Sequence, residues 1–242
     1  MLIHPIETVI FDLDGTLRHS IPSTTEFQFQ FALQLGVRDT PGRQQSGARW
    51  VHYYWAQSPE LFADMGQFGE MNLDFWVQYA YRYLRSVAVP EEIATYSARQ
   101  LSQEMQDRTE PENYVYPCVP ETLQAIKDAG YTLGLVSNRS NSCQAECERL
   151  GLWDYFDFAY VAAEVEVWKP DPRIFERAFT MSGSHPQRTV YIGDNYYADV
   201  LGAKNAGMQP ILLDSEGVFL DPTFHQDCTV IHSLRELGPL LI

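Results

Sequence analysis

A short apolar run that ends on two carboxylates constrains this chain more than any other feature: Val9-Ile10-Phe11-Asp12-Leu13-Asp14-Gly15-Thr16-Leu17. Val9, Ile10, Phe11 and Leu13 read as a short buried strand, because β-branched and aromatic residues suit a covered pleated surface. Asp is poor strand material and costly to bury without a partner, so Asp12 and Asp14 need a reason to stand there. In an extended chain, residues two apart share a face, which lets both carboxylates address one site. Gly15 then permits a sharp change of direction. A solvated Asx turn closing the strand accounts for Asp14-Gly15 as well, so the rest of the chain has to decide.

Residues from about 20 to 110 read as helical. Thr24 or Thr25 caps a helix through Phe27, Phe31, Ala32 and Leu35, ended by Gly36. Further helices are expected at about 43–56 and 73–87, and another from Pro90 through Ile93, Tyr96 and Leu101 to Met105. No strand pattern intervenes. From Tyr114 the rhythm changes, with helices at about 120–129, 142–150, 171–181 and 195–206 and strands at 131–136, 156–163, 189–192 and 209–213. A last strand at 229–231 and a helical tail from Ser233 follow. Strands separated by helices of about 10 residues imply crossover units and a parallel sheet covered on both faces. The strand at Val9 belongs with these later ones. The fold class is therefore α/β: a three-layer, Rossmann-like parallel sheet core over residues 1–17 and 114–242. An all-helical domain, residues 18–113, is inserted after the first strand.

Charge narrows the partners. The chain carries 32 acidic against 17 basic residues, a formal net charge of −15, which opposes nucleic acid and anionic membranes. It also opposes an anionic substrate, so a phosphate site here needs local positive charge, and the lysines are Lys127, Lys169 and Lys204. No apolar run approaches the ~18 residues of a membrane span, and the N-terminus lacks the form of a signal peptide, so a cytoplasmic protein is expected. Cys118, Cys143, Cys147 and Cys228 form no C-x-x-C pair; Cys143 and Cys147 sit one helical turn apart and read as helix residues rather than metal ligands. Monomer and dimer both stay open.

In a parallel α/β sheet, ligands collect at the carboxyl ends of the strands. The first strand delivers Asp12 and Asp14 there, and the second delivers Ser137-Asn138 directly before an expected helix start. The third leads into Glu164 through Pro172, which includes Trp168-Lys169-Pro170-Asp171. The fourth gives Gly193-Asp194-Asn195-Tyr196-Tyr197-Ala198-Asp199. Taken singly, Ser137-Asn138 reads as a helix cap, Lys169 as a surface lysine and Asp199 as a solvated helix residue.

Together, D-x-D-G-T at 12–16, S-N at 137–138, K-P-D-P at 169–172 and G-D-x-x-x-x-D at 193–199 resemble the four motifs of the haloacid dehalogenase-like (HAD) superfamily, in its order and at fitting spacings. The resemblance covers about 5–17 and 114–232, and the insert stands where that family places a helical type C1 cap. It implies an enzyme, a hydrolase of the phosphatase branch that uses Mg²⁺. Asp12 would be a nucleophile forming an aspartyl-phosphate, which splits hydrolysis into two easier steps. Asp12, the main-chain carbonyl of Asp14 and Asp194 would hold the ion, a hard cation suited to oxygen ligands. Ser137 and Asn138, with N–H groups of the following helix start, would bind phosphate oxygens. Lys169 would supply fixed positive charge and Asp199 would orient it. Gly15, Thr16 and Asn195 would support these groups. Asp14 discriminates within the family: an alkoxide leaving group must be protonated, halide departure needs no proton, and the family's dehalogenases lack this second Asp.

The implied substrate is a small phosphorylated metabolite. Arg18, in the segment leading into the insert, is a candidate contact for an anionic substrate; a surface or hinge arginine accounts for it equally. The insert's aromatic residues, Trp50, Tyr53, Tyr54, Trp55, Phe75, Trp76, Tyr79, Tyr81 and Tyr83, suit stacking on a base or sugar, but most are expected simply to pack its helices. Trp168 stays open between a cleft residue and packing. Two other readings share these motifs: a phosphomutase of the same family, β-phosphoglucomutase-like, and a non-catalytic binding or regulatory protein. The intact Asp12/Asp14 pair argues against the latter, which has no need of an acid/base group.

Overall fold

The structure, a computed structural model, describes residues 2–108 and 112–242. In chain order, β1 (Thr8–Phe11) and β2 (His19–Ile21) lead into α1 (Thr24–Gln34), α2 (Pro41–Trp55), α3 (Pro59–Phe68), α4 (Leu73–Ser86) and α5 (Glu91–Asp107). Then come β3 (Glu112–Tyr114), α6 (Cys118–Asp128), β4 (Thr132–Ser137), α7 (Gln144–Arg149), β5 (Phe158–Val161), α8 (Ala162–Val165) and α9 (Glu176–Ser182). The chain closes with β6 (Thr189–Gly193), α10 (Leu201–Asn205), β7 (Gln209–Leu213), β8 (Thr229–Ile231) and α11 (Leu237–Leu241). It divides into two compact units, Met1–His19 with Tyr114–Ile242, and Ser20–Asn113.

The first unit is built on a six-stranded sheet in the order β5-β4-β1-β6-β7-β8, parallel throughout. β1 lies inside it, with Val9 in register with Leu133 on one side and Val190 on the other. Both faces are covered, as parallel sheets require. Val9, Phe11, Leu133, Leu135, Val190 and Ile192 pack into one core; Ile10, Val136 and Tyr191 pack into a second with Ile174 and Phe175. Cys143 and Cys147 are free thiols buried in the first core.

The second unit packs α4 against α5 and α2, around Ala80, Tyr83, Leu84, Ala94, Ala98 and Leu101. Tyr54, Leu61, Phe75 and Tyr79 make a second cluster, and Trp50, Trp55 and Trp76 stand against it ring to ring, so these aromatic residues are packing. Helix α3 is not foreshadowed by an apolar period. Its buried face carries Asp64 beside Leu61, and that carboxylate accepts from Arg82 Nε and Nη2 at 2.9 Å each and from the Tyr54 hydroxyl at 3.0 Å.

Local details differ from the sequence reading for physical reasons. The cap of α1 is Ser23, whose hydroxyl accepts from Glu26 N, one residue before the expected threonines. The paired strands β2 and β3, three residues each, are too short to show alternation. The expected helix at 195–206 opens with a π-helical turn, Tyr196–Val200, before α10. The expected helix at 142–150 shrinks to α7, so a polar loop (138–143) follows Ser137 where a helix start was expected. No helix of the described residues is long and apolar enough to cross a membrane.

Candidate active site

Strand alternation aims the first carboxylate. Ile10 points into the second core, so Asp12, two residues on, faces the same side, where Val136 and Tyr191 also point. There the ammonium of Lys169 donates to Asp12 Oδ1 at 2.8 Å, to Asp199 Oδ1 at 2.7 Å and to the Tyr191 hydroxyl at 2.7 Å. Lys169 is 1% exposed and Asp199 is equally buried, so neither is a solvated surface group. Burial works against the lysine's charge, but Asp12 and Asp199 more than offset it and the ammonium holds its proton more firmly than a free lysine. Burial in turn pushes the Asp12 carboxyl up to about 7, with Asp199 and Asp14 adding to the push and Lys169 opposing it.

Asp199 is held as closely as the lysine it pairs with. Asn195 opens the π turn by accepting from Tyr197 N and Ala198 N at 3.0 and 3.1 Å, while Asn195 N donates to Asp199 Oδ2 at 2.9 Å. Gly193 leaves room for this: a Cβ there would lie 2.2 Å from Asp199 Oδ2. Both Asp199 oxygens are thereby committed.

Oxygens of Asp12, Asp194 and Asp199 lie within 4.8 Å of one another. Burial, then the charges of Asp199 and Asp12, push the Asp194 carboxyl well above its usual range. Three carboxylates around one ammonium leave a deficit of positive charge, and hard oxygen donors suit a divalent ion such as Mg²⁺. With Asp199 committed to Lys169 and Asn195, the carboxylates that fit such an ion are Asp12 and Asp194. Asp194 packs directly on the turn after β1. Gly15 has φ +83°, and a Cβ there would lie 2.1 Å from Asp194 Oδ2; Thr16 Oγ1 donates to Asp194 Oδ1 at 3.4 Å.

The second carboxylate takes a different path from the first. β1 ends at Phe11, and a tight turn brings Arg18 N to Leu13 O at 2.9 Å and Gly15 N to Arg18 O at 2.8 Å. Strand alternation therefore does not carry through to Asp14. Its carboxylate accepts from Arg139 Nε and Nη2 at 2.6 Å each and from Arg18 Nη1 at 2.8 Å. Glu146 of α7 closes the ring, pairing with Arg18 Nε at 3.1 Å and with Arg139 Nη1. The hydrogen bonds to Asp14 hold the Arg139 guanidinium charged well beyond the ordinary arginine range.

Ser137 ends β4, 2% exposed. Asn138 is turned toward Lys169 rather than outward: its Nδ2 donates to Lys169 O at 2.9 Å and its Oδ1 accepts from Lys169 N at 2.7 Å, which fixes the lysine's main chain. Trp168 packs against the second core. Three residues of this arrangement went unremarked in the sequence. Tyr191, whose hydroxyl also donates to Val136 O at 2.8 Å, looks like any strand aromatic. Its one signal was strand parity with Ile10 and Val136. Arg139 and Glu146 carry no motif, though Arg139 directly follows Ser137-Asn138.

A model of the haloacid dehalogenase-like hydrolase family matches residues 6–207. The chain is similar to the glyceraldehyde 3-phosphate phosphatase of Methanothermobacter thermautotrophicus, 37% identical over 131 residues, a match spanning 52% of this chain and 58% of that protein. It thus spans little more than half the length of that relative. It is also similar to the phosphoserine phosphatase of Thermus thermophilus, 26% identical over 244 residues, or 96% of this chain and 98% of the other. Among solved structures, the HAD phosphatase from Thermococcus onnurineus superposes with a TM-score of 0.57 at 25% identity, over 98% of each chain.

Proposed function

Since the chain belongs to the haloacid dehalogenase-like hydrolase family, we propose that it is a Mg²⁺-dependent phosphatase of a small phosphate monoester. The observation that carries this reading is the buried Lys169 ammonium joining Asp12 and Asp199 beside Asp194. An inert fold has no use for three carboxylates and one lysine at the end of its central strands, since burying such charges is costly. The names of the relatives support a small phosphorylated metabolite as substrate.

Asp12 is the nucleophile. Lys169 holds its Oδ1, so the carboxylate meets phosphorus in a fixed orientation, and phosphoryl transfer is chiefly positioning and charge neutralisation. Asp12, Asp194 and the main-chain carbonyl of Asp14 would hold Mg²⁺, which would supply the neutralisation that a phosphate dianion needs to approach a carboxylate. Ser137 and Lys169 bind phosphate oxygens, with Asn138 and Asp199 keeping the lysine in place. Asp14 gives a proton to the departing alkoxide and then takes one from the water that attacks the aspartyl-phosphate, which restores Asp12. The helical unit is the cap, selecting the substrate. Cytoplasmic placement belongs to this same reading.

The test is phosphate release from p-nitrophenyl phosphate with and without Mg²⁺, for the wild type and Asp12→Asn. Turnover that needs Mg²⁺ and disappears in a folded Asp12→Asn protein is the expected result. Near wild-type activity in that variant removes Asp12 from its role, and no turnover over a broad range of pH and metals favours a binding protein on this scaffold.

A further inference from the structure

A buried ammonium has three N–H groups to place. Lys169 gives one to Asp12 Oδ1 and one to Asp199 Oδ1, both carboxylates of the sequence motifs. The third goes to the Tyr191 hydroxyl at 2.7 Å, and Tyr191 belongs to none of the motifs. A fourth oxygen, Val136 O, stands 3.4 Å from the same nitrogen, beyond good hydrogen-bond range.

Chemistry fixes the direction of each proton in this chain. An ammonium only donates and a main-chain carbonyl only accepts, so Tyr191 Oη takes a proton from Lys169 and gives its own to Val136 O at 2.8 Å. With its proton committed, the hydroxyl turns only lone pairs toward the lysine. The ring is held as well. Tyr191 is fully buried, sits in register with Ile10 on β1 and packs edge-on against Phe175, with centroids 5.0 Å apart.

Packing does not require this hydroxyl. A phenylalanine would fill the same space, keep its edge against Phe175 and still face the ammonium, which lies 5.2 Å from the ring centroid. Strands covered on both faces are built from such apolar residues, and a buried hydroxyl among them is costly unless it is bonded. What the hydroxyl does is give Lys169 a second anchor besides Asp199. Two anchors leave the remaining N–H a single direction, toward Asp12. Without the hydroxyl, Val136 O is the acceptor left for the third proton, and reaching it draws the nitrogen off its line to Asp12.

Resting on the phosphatase reading above, we propose that Tyr191 is a positioning residue for the reaction: its hydroxyl, anchored on Val136 O, aims the Lys169 ammonium at the nucleophile Asp12. It acts only through the lysine. Its loss therefore falls on the step in which Asp12 meets phosphorus, and so on kcat more than on KM.

The experiment compares wild type with Tyr191→Phe in Mg²⁺ buffer, by hydrolysis of p-nitrophenyl phosphate and by the ¹H–¹⁵N signals of the lysine ammonium groups in ¹⁵N-lysine-labelled protein. Of Lys127, Lys169 and Lys204, Lys169 alone is buried, so its ammonium protons are the ones shielded from exchange with water. Tyr191→Phe should move or broaden that signal with circular dichroism unchanged. Its kcat per folded molecule should fall about 10- to 100-fold, the worth of one hydrogen bond to a charged group, with KM nearly unchanged. A kcat close to that of wild type overturns the proposal, as does a loss carried by KM. A fall in kcat with the ammonium signal unmoved overturns it too, since the hydroxyl then acts elsewhere than on Lys169. If neither protein turns over an ester, the phosphatase reading fails separately and the ammonium signal decides the anchor: movement supports it and an unmoved signal overturns it. Should Tyr191→Phe not fold, the wild type decides, a nuclear Overhauser contact between the Lys169 ammonium and the Tyr191 hydroxyl proton supporting the anchor and its absence overturning it.

Discussion

Replacing Lys169 by Met tests whether one buried ammonium holds this site together. Methionine matches the lysine's length and fills the space without a charge, so the perturbation is chiefly electrostatic. The ammonium now faces Asp12 Oδ1 at 2.8 Å and Asp199 Oδ1 at 2.7 Å, with Asp194 close by. Without it, three crowded carboxylates stay behind with no cation. Removing one partner of a buried ion pair costs about 3–5 kcal/mol, which for a chain of this size lowers Tm by roughly 6–20 °C. Urea denaturation followed by circular dichroism reads this as a fall in midpoint in Mg²⁺-free buffer. The pH dependence has a definite sign. Asp12 is already raised to about 7, above the ordinary carboxylate value of about 3.9, so between those values the folded state binds more protons than the unfolded one and acid favours folding. Loss of the lysine raises Asp12 further, so the variant's deficit relative to wild type shrinks between pH 8 and pH 5. Adding Asp199→Asn to Lys169→Met should cost less than the sum of the two single changes, by about 1 kcal/mol or more. A loss below about 1 kcal/mol, additive with Asp199→Asn and flat with pH, refutes the view that Lys169 neutralises this cluster.

Other expectations follow from neighbouring contacts. Gly15→Ala puts a Cβ 2.1 Å from Asp194 Oδ2 at φ +83°; the backbone alone costs about 1–2 kcal/mol, and Mg²⁺ affinity by calorimetry should fall, unchanged affinity counting against Asp194 as a ligand. Mg²⁺ should bind more tightly as pH rises through about 7, because Asp12 must lose its proton to accept the ion, and a flat profile from pH 5 to 8 refutes this. Asp14→Asn should slow alkyl phosphate hydrolysis by about 10²–10⁴-fold and aryl phosphates less, since phenolates leave without a proton; equal losses would count against the acid role.

The core of the fold was legible because its signals are local. The apolar run at Val9, the strand at 189–192 and the glycines that end helices each declare themselves within a few residues. Helix α3 escaped because Asp64 sits on its buried face and breaks the apolar period, and only Arg82, eighteen residues away, makes that burial tolerable. The helix expected from Ser142 forms but starts later, at Gln144, for a local reason. Ser140, Asn141 and Ser142 favour local side-chain bonds to the backbone over a helical start. Asp12 and Asp14 looked equivalent from a period of two, but the strand stops at Phe11, and each carboxylate answers to its own cation.

By itself the sequence determined which groups this chain can bring to the carboxyl ends of a parallel sheet, since strand parity and motif spacing depend only on neighbours along the chain. Only the tertiary structure decided what those groups do to each other. Lys169 meets Asp12 across 157 positions and Arg139 meets Asp14 across 125. Such pairings arise from the crossover order of β1, β4 and β6, a property of the assembled sheet that no short stretch encodes. Coulomb energy depends on separation in space and on the water removed from between the charges, so the burial that turns an ordinary lysine into the centre of this site exists only once the sheet is built.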